Sequence, residues 1–166
     1  VFEDIEDLKA NIDRPDLPVT KDTILVLKEC GPKGYPGMPE VGNMPIPKVL
    51  VGQGIRDMVR ISDARMSGTA FGTIVLHVSP EANVGGPISI VETGDRIRLD
   101  VDNGVLELLV PDSEIMKRSK SRPKPKENYT RGYAKLYVDH VMQADKGADF
   151  DFLVGKDTRL VTRESH

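Results

Sequence analysis

The spacing of apolar residues predicts a helix at the start of the chain and β-strands through its middle. Between positions 3 and 12, Ile5, Leu8 and Ile12 recur at intervals of three and four, which is typical of a helix. Later stretches are continuous or alternating apolar runs and predict strands at 23–27, 57–61, 73–78, 88–91, 96–101 and 105–110. The pattern therefore predicts a domain of about six strands with helices at both ends.

Turn and helix signals complete the second half of the chain. Asn103-Gly104 separates the last two predicted strands and is the typical sequence of a two-residue hairpin turn. A helix is predicted from Asp112, a residue type that caps helices, to about Lys120. A further helix is predicted over 131–142, where apolar and aromatic residues again follow a three-and-four spacing. The segment 145–155 ends in an apolar cluster, which predicts docking on another part of the protein.

A loop rich in proline and glycine follows the first predicted strand. Positions 31–47 contain five prolines and four glycines, which excludes regular structure over most of this loop. Its glycine spacing is not a phosphate-binding loop, because Gly-Lys-Ser/Thr is missing and proline removes backbone N–H donors. The loop is either functional or a cover over the core. A short helix is predicted after it, over 47–54, with Pro47 at its first position.

A second polar loop lies between two predicted strands, at 61–72. It is either an ordinary connection or a rigidly supported site. Ser67 lies in its glycine-bounded turn, with Arg65 and Thr69 alternating on either side. A triad of Ser67, His77 and Asp63 can be written, but Ser67 lacks the Gly-x-Ser-x-Gly elbow. A serine acts as a base only beside a strong positive charge such as a metal, which this chain does not obviously supply.

Composition and charge exclude several classes of protein. The chain has 166 residues, 39% of them apolar and 30% charged, which is ordinary for one soluble domain. Its net charge of −3 gives no general attraction to nucleic acid or anionic membranes. No apolar run approaches the ~20 residues of a membrane span. The basic stretch 119–127 has no aromatic residues to stack on bases, so a solvated linker is predicted over 119–130. The last residues, 156–166, are predicted to be a loose tail.

The single cysteine and the histidines offer no complete metal site. Cys30 cannot form an internal disulfide or hold an iron–sulfur cluster alone, and one thiol in such a chain is typical of the reducing cytoplasm. His77 is predicted to be a core histidine with a backbone partner, and His140 a packed, hydrogen-bonded one. Neither His-x-x-x-His nor paired cysteines occur, so a self-contained metal site is not expected.

Three motifs in order carry a resemblance to a known family. They are Gly37-Met-Pro-Glu40, Ser62-Asp-Ala-Arg-Met-Ser-Gly-Thr69, and His77-Val-Ser-Pro-Glu-Ala82 followed by Gly85-Gly-Pro-Ile. Together they resemble the C-terminal domain of the dihydroxy-acid and sugar-acid dehydratases, over essentially the whole chain. The region 131–155 is similar to the sugar-acid branch, which includes arabinonate and xylonate dehydratases.

The resemblance implies a fold and a partner. The fold class is α/β, a β/β/α swivelling domain with a barrel-like β core and flanking helices. Residues 1–166 would be a single domain, the C-terminal domain of a longer dehydratase. The missing N-terminal domain would carry the cluster cysteines and the remaining metal ligands. The chain alone would then have no activity and no iron, and the full enzyme would be a cytoplasmic homodimer or homotetramer.

The resemblance also implies a reaction, the loss of water from a 2,3-dihydroxy acid to give a 2-keto-3-deoxy acid. In this family an iron–sulfur cluster acts on the departing 3-hydroxyl, while Mg²⁺ holds the carboxylate and the 2-hydroxyl. By resemblance, Ser67 is the base that takes the C2 proton, Thr69 contacts the substrate, and Glu40 is a Mg²⁺ ligand.

Other functions stay open on the sequence. The chain could be a β-barrel domain that binds a small acid or another protein without catalysis. It could also be a structural interface domain that uses the apolar segment 150–154. The identity of the sugar acid is not determined.

Overall fold

Two small sheets and four helices make up the described part of the chain. The structure is a computed structural model that describes residues 1–123, 125 and 129–155. The helices are α1 (Ile5–Asn11), α2 (Lys48–Gly52), α3 (Asp112–Ser121) and α4 (Gly132–His140). The strands are β1 (Leu25–Leu27), β2 (Arg60–Ser62), β3 (Ile74–Val75), β4 (Ile97–Asp100) and β5 (Val105–Leu108). Short 3₁₀ turns occur at Pro87–Ile90, Ala144–Lys146 and Asp151–Leu153.

The sheet β1–β2–β3 is parallel and lies in the core. Val26 pairs with Ile61, and Ile61 pairs with Val75, so the apolar centres of the strands lie side by side. Every residue of β1 is buried, as expected for a parallel sheet covered on both faces. Leu27 also forms a parallel bridge with Phe2, so the chain begins alongside this sheet.

Helix α1 covers one side of this sheet and forms where the apolar spacing predicts it. The side chain of Asp4 caps the helix by accepting a hydrogen bond from the Asp7 N–H at 2.8 Å. Ile5 and Leu8 are buried in the same apolar cluster as Leu25 and Leu27. The helices α3 and α4 also confirm the predicted helices, but Asp112 does not cap α3: it lies in the first turn, after Pro111 at the cap position.

The antiparallel pair β4–β5 forms a hairpin, but with a different turn from the predicted one. Asp100 pairs with Val105, so the connection has the four residues 101–104 and the two-residue turn is wrong. The reason is local hydrogen bonding, because the Asp100 carboxylate accepts from the Asn103 backbone N–H and from its side-chain amide.

One predicted strand is wrong. Residues 88–91 do not form a strand, because Pro87–Ile90 is a 3₁₀ turn that buries Ile88 and Ile90. Proline at its first position favours a helical start, and a short apolar run does not distinguish a buried strand from a buried helical turn. The described residues therefore contain five strands.

The fold is α/β, and the two sheets of the described residues do not close into a barrel. The barrel-like core implied by the resemblance is thus not found in this part of the chain. Helix α3 reaches residue 121 and overlaps the start of the predicted linker. Positions 124 and 126–128 of that linker, and the predicted tail, lie outside the described residues. Among the described helices, none has the length and apolar character needed to cross a membrane.

Candidate functional site

Two loops meet beside the parallel sheet. The proline-rich loop (residues 31–47) follows β1, and the serine loop (residues 63–73) follows β2. The buried guanidinium of Arg60 joins them, since it donates to the Met44 carbonyl at 2.8 Å and to the Phe71 carbonyl at 2.7 Å. Because neighbouring parallel strands end at the same edge of a sheet, both loops start from that edge.

Ser67 and Thr69 lie together at the turn of the serine loop. The two hydroxyl oxygens are 3.0 Å apart, and the Thr69 N–H donates to the Ser67 Oγ at 3.3 Å. The turn is closed by the Ala70 N–H, which donates to the Ser67 carbonyl at 3.1 Å. Ser67 is half-buried and Thr69 is exposed. The Ser67 oxygen therefore has one N–H donor and one hydroxyl beside it and remains reachable.

Glu40 is held against the serine loop by Arg65. The Arg65 Nη1 donates to the Glu40 Oε1 at 2.7 Å, and both side chains are nearly half exposed. Arg65, two positions before Ser67, thus links Glu40 of the proline-rich loop to the loop that carries Ser67. The sequence analysis places Arg65 beside Ser67 in this loop but predicts no role for it.

Asp63 holds the start of the serine loop through buried hydrogen bonds to two other segments. Its buried carboxylate accepts from the Cys30 N–H at 3.0 Å and from the Ala82 N–H at 2.9 Å. Burial raises the pKa of Asp63 to about 6, although both hydrogen bonds favour the charged form. The carboxylate ties together the segments that follow all three parallel strands.

The triad of Ser67, His77 and Asp63 is not formed. Both carboxylate oxygens of Asp63 accept from backbone N–H groups. His77 follows β3 with a positive φ of 53° and an exposed side chain, so the prediction of a core histidine is wrong. Its backbone N–H donates to the Ala64 carbonyl. His140 is packed and hydrogen-bonded as predicted, with its Nδ1 3.0 Å from the Asp151 Oδ1.

The Asp63→Asn substitution is expected to change how stability depends on pH. The folded-state pKa of Asp63 lies above the ordinary 3.8, so its protonation favours the folded state. This contribution, on the order of 3 kcal/mol, is full below the ordinary pKa and is lost as pH rises to about 6. Thermal unfolding of both proteins from pH 4 to 7 should therefore show the wild type losing stability relative to the Asn variant.

Asp100 provides a control of opposite sign for this experiment. The hydrogen bonds from Asn103, and then from Arg98, hold the pKa of Asp100 below its ordinary value. Its contribution is present above the ordinary pKa of 3.8 and is lost on acidification below it. In a scan extended below pH 4, Asp100→Asn should therefore reduce the loss of stability that the wild type shows there. A difference between Asp63→Asn and wild type that is constant from pH 4 to 7 would contradict the titration of Asp63.

The base of the proline-rich loop is held by Glu81, which is 1% exposed. Its carboxylate accepts from the Lys33 N–H at 3.0 Å, the Gly34 N–H at 2.9 Å and the Gln143 side-chain amide at 2.7 Å. The Glu81 N–H donates in return to the Gln143 Oε1 at 2.8 Å. This double contact attaches the segment after α4 to the loop that carries Glu40.

Helix α4 approaches the same loop through Tyr137. Burial raises the pKa of Tyr137, while a hydrogen bond from the Gly37 backbone acts against this shift. The ring also contacts Phe150 edge to face, with centroids 5.5 Å apart.

Four residues that hold these loops have no role in the sequence analysis: Asp63 as a hydrogen-bond acceptor for other segments, Glu81, Gln143 and Tyr137. Their partners are distant along the chain, and no local pattern signals them.

Metal-binding groups are few in this part of the chain. Within the described ranges, no three His, Cys, Asp or Glu side chains come together as a metal site. Cys30 is fully buried, and burial raises the pKa of its thiol to about 12. It therefore stays protonated at neutral pH, whereas a cluster ligand must be a thiolate. Glu40 is the predicted metal ligand, and its carboxylate is a hard oxygen donor of the kind Mg²⁺ takes.

Comparison with known proteins shows similarity to dehydratases. Residues 1–148 match a sequence family described as dihydroxy-acid/6-phosphogluconate dehydratase C-terminal. The whole chain is 70% identical to 29% of a protein of Rhizobium meliloti named as a dehydratase. It is 54% identical to L-arabinonate dehydratase of Rhizobium leguminosarum bv. trifolii, covering all of this chain and 29% of that protein. The 6-deoxy-6-sulfo-D-gluconate dehydratase of Pseudomonas putida is 54% identical over 92% of the chain and 26% of its own length. The chain thus spans less than a third of these relatives.

Proposed function

Because the chain belongs to the C-terminal domain family of the dihydroxy-acid and 6-phosphogluconate dehydratases, we propose that it is the substrate-facing domain of a sugar-acid dehydratase. The full enzyme removes water from a 2,3-dihydroxy sugar acid and releases a 2-keto-3-deoxy acid. The observation that carries this proposal is the paired Ser67 and Thr69, 3.0 Å apart on a loop that also holds Glu40 through Arg65. Relatives named for two different sugar acids support the substrate class.

Ser67 is the base in this proposal. As an alkoxide, its Oγ takes the proton from C2 of the substrate. The C3–O bond breaks, the departing hydroxide takes a proton from the Ser67 hydroxyl and leaves as water, and the resulting enol tautomerises to the 2-keto acid. A serine oxygen can do this only if its negative charge is stabilised. The Thr69 N–H, at 3.3 Å, already points at the Ser67 Oγ, and the Thr69 hydroxyl at 3.0 Å can donate to it as well. The exposed Thr69 side chain is also placed to contact the substrate.

Glu40 fits the role of one Mg²⁺ ligand. It lies on a loop stiffened by proline, its side chain is 46% exposed, and the ion pair with Arg65 uses Oε1 and leaves Oε2 for a metal. When bound, Mg²⁺ would supply the charge that acidifies the C2 proton of a substrate held by its carboxylate and 2-hydroxyl. A single carboxylate does not hold Mg²⁺, so the other ligands would come from the rest of the protein.

An iron–sulfur cluster does not fit the thiol of this chain. Cys30 is buried and protonated, with its backbone N–H on Asp63. Any cluster would therefore be held by cysteines elsewhere in the protein, and we assign no step of the reaction to one here.

The rest of the same protein is the proposed partner. Exposed apolar side chains adjoin the site, since Phe71 at the end of the serine loop is 80% exposed. Phe152, Leu153 and Val154, in the segment predicted to dock, are also mostly exposed. Grouped exposed apolar side chains mark contact surfaces, and residues 152–154 are three in succession. We propose that the N-terminal domain covers these exposed side chains and completes the active site, so that the chain alone is inactive.

The proposal predicts which substrates the full-length protein consumes. Each of a panel of aldonates (arabinonate, xylonate, gluconate, 6-deoxy-6-sulfogluconate) and a branched-chain 2,3-dihydroxy acid is incubated with the enzyme, and 2-keto acid formation is measured. At least one sugar acid should be dehydrated faster than the branched-chain acid, and the isolated chain should turn over none. Preference for the branched-chain acid, or activity of the isolated chain, would overturn the proposal.

A further inference from the structure

Arg65 contacts the proline-rich loop at three alternate positions centred on Glu40. Its Nε donates to the Met38 carbonyl, and its Nη1 donates to the Glu40 carboxylate at 2.7 Å. Its own carbonyl accepts from the Gly42 N–H at 2.8 Å. One residue thus holds Glu40 and the backbone on both sides of it.

The backbone that Arg65 holds is strained. Met38 has a φ of 45°, a conformation that an unbranched residue other than glycine rarely adopts, and it persists only where its surroundings impose it. Burial of the Met38 side chain, which is 5% exposed, and the hydrogen bond from Arg65 to its carbonyl supply that restraint. The direction of the Glu40 side chain therefore depends on Arg65.

We propose that Arg65 is the positioning residue that sets the Glu40 carboxylate relative to Ser67. This rests on the proposed function, in which Glu40 binds Mg²⁺ and Ser67 takes the proton. Arg65 lies two residues before Ser67 on the serine loop, so its contacts fix the spacing between the two loops at the point where both predicted groups are presented. Its ion pair uses Oε1 of Glu40 and leaves Oε2 for the metal.

The chemistry of arginine suits this task. A planar guanidinium can donate in two directions at fixed angles, here to a carbonyl and to a carboxylate, whereas lysine is a point charge on a flexible stem. An ion pair with both partners nearly half exposed adds little stability, so the effect of this pair is on the geometry of Glu40.

The test measures Mg²⁺ binding directly in the full-length enzyme. Wild type, Arg65→Met, Arg65→Lys and Glu40→Gln are stripped of Mg²⁺ and titrated with MgCl₂ by calorimetry. Their Tm values, and their kcat and KM for the preferred sugar acid at saturating Mg²⁺, are also measured. Arg98→Met is the matched control, because Arg98 is an exposed arginine paired with Asp100 at 2.8 Å on the β4–β5 hairpin.

Arg65→Met is expected to weaken Mg²⁺ binding by about 10-fold or more, as loss of a partner that orients a metal ligand does. Its kcat should fall while KM changes little, Arg65→Lys should recover part of the affinity, and Arg98→Met should bind Mg²⁺ as the wild type does. Unchanged Mg²⁺ affinity with a lower Tm would make Arg65 merely structural and would overturn the inference. So would tighter Mg²⁺ binding, which would mean that Arg65 competes with the metal for Glu40. A raised KM with unchanged Mg²⁺ affinity would instead make it a substrate ligand.

Glu40→Gln distinguishes failure of the metal role of Glu40 from failure of the positioning role of Arg65. If it loses Mg²⁺ affinity while Arg65→Met keeps it, only the positioning role is wrong. If Glu40→Gln binds Mg²⁺ as tightly as the wild type, the proposed metal role of Glu40 is wrong, and the inference about Arg65 fails with it.

Discussion

Replacing Ser67 with alanine is expected to lower turnover of the full-length enzyme by roughly 10³-fold, the typical contribution of a positioned base. The change removes the oxygen that the Thr69 hydroxyl and the Thr69 N–H approach, at 3.0 and 3.3 Å. Because Ser67 is half-buried in a surface turn and its Oγ approaches only Thr69 in the hydrogen bonds of the described residues, the fold should be unaffected. The measurement is kcat for the preferred sugar acid, together with Tm and Mg²⁺ affinity, which should both match the wild type.

Ser89→Ala is the matched control for this substitution. The Ser89 Oγ is buried without a hydrogen-bond partner among the described residues, so its removal should be neutral or slightly stabilising and should leave turnover unchanged. Turnover of Ser67→Ala within a few-fold of the wild type would remove Ser67 from the role of base.

The second large effect is expected at Glu81. Glu81→Ala should destabilise this domain by about 3–5 kcal/mol, because it leaves a cavity and strips buried donors of their acceptor. Those donors are the N–H groups of Lys33 and Gly34 and the side-chain amide of Gln143. The loss should appear as a lower Tm of the full-length protein and as faster hydrogen exchange at the Lys33 and Gly34 amides.

Exchanging the Glu81 and Gln143 side chains tests whether their hydrogen bonds account for this loss of stability. In the double variant Glu81→Gln with Gln143→Glu, the new amide oxygen can still accept from the loop, and its NH₂ can donate to the new carboxylate. The single variant Gln143→Glu instead faces two carboxylates at the 2.7 Å contact. The double variant should therefore be more stable than Gln143→Glu alone, with a clear coupling energy. If the two variants are equally unstable, the hydrogen-bond pattern is not what holds the loop.

Local pattern was sufficient for most of the secondary structure. The three-and-four spacing of Ile5, Leu8 and Ile12 predicts α1, and runs of apolar residues predict the five observed strands to within a few residues. These signals are local because helix and strand periods place side chains on one face whatever the rest of the chain does. The strand predicted at 88–91 is wrong because so short an apolar segment fits either a strand or a buried 3₁₀ turn, and a local signal does not distinguish them.

The candidate site residues are predicted from the family motifs, whereas the helices and strands are predicted from apolar periodicity. Ser67, Thr69 and Glu40 were identified because their motifs resemble those of a dehydratase family, and the matching family and relatives support the resemblance. Periodicity and composition alone left the serine loop as either a turn or a site. The roles of the three residues stay predictions until the variants are measured.

By itself, the sequence determined the helices, all but one of the predicted strands and the family of this chain, because each depends on neighbouring residues or on short motifs. Only the tertiary structure decided how the two loops are held together. The contacts of Arg65 with Glu40, of Asp63 with Cys30 and of Glu81 with Gly34 join residues 25, 33 and 47 positions apart. Which distant partner satisfies a buried or bridging polar group depends on how the whole chain folds, and no local pattern records it.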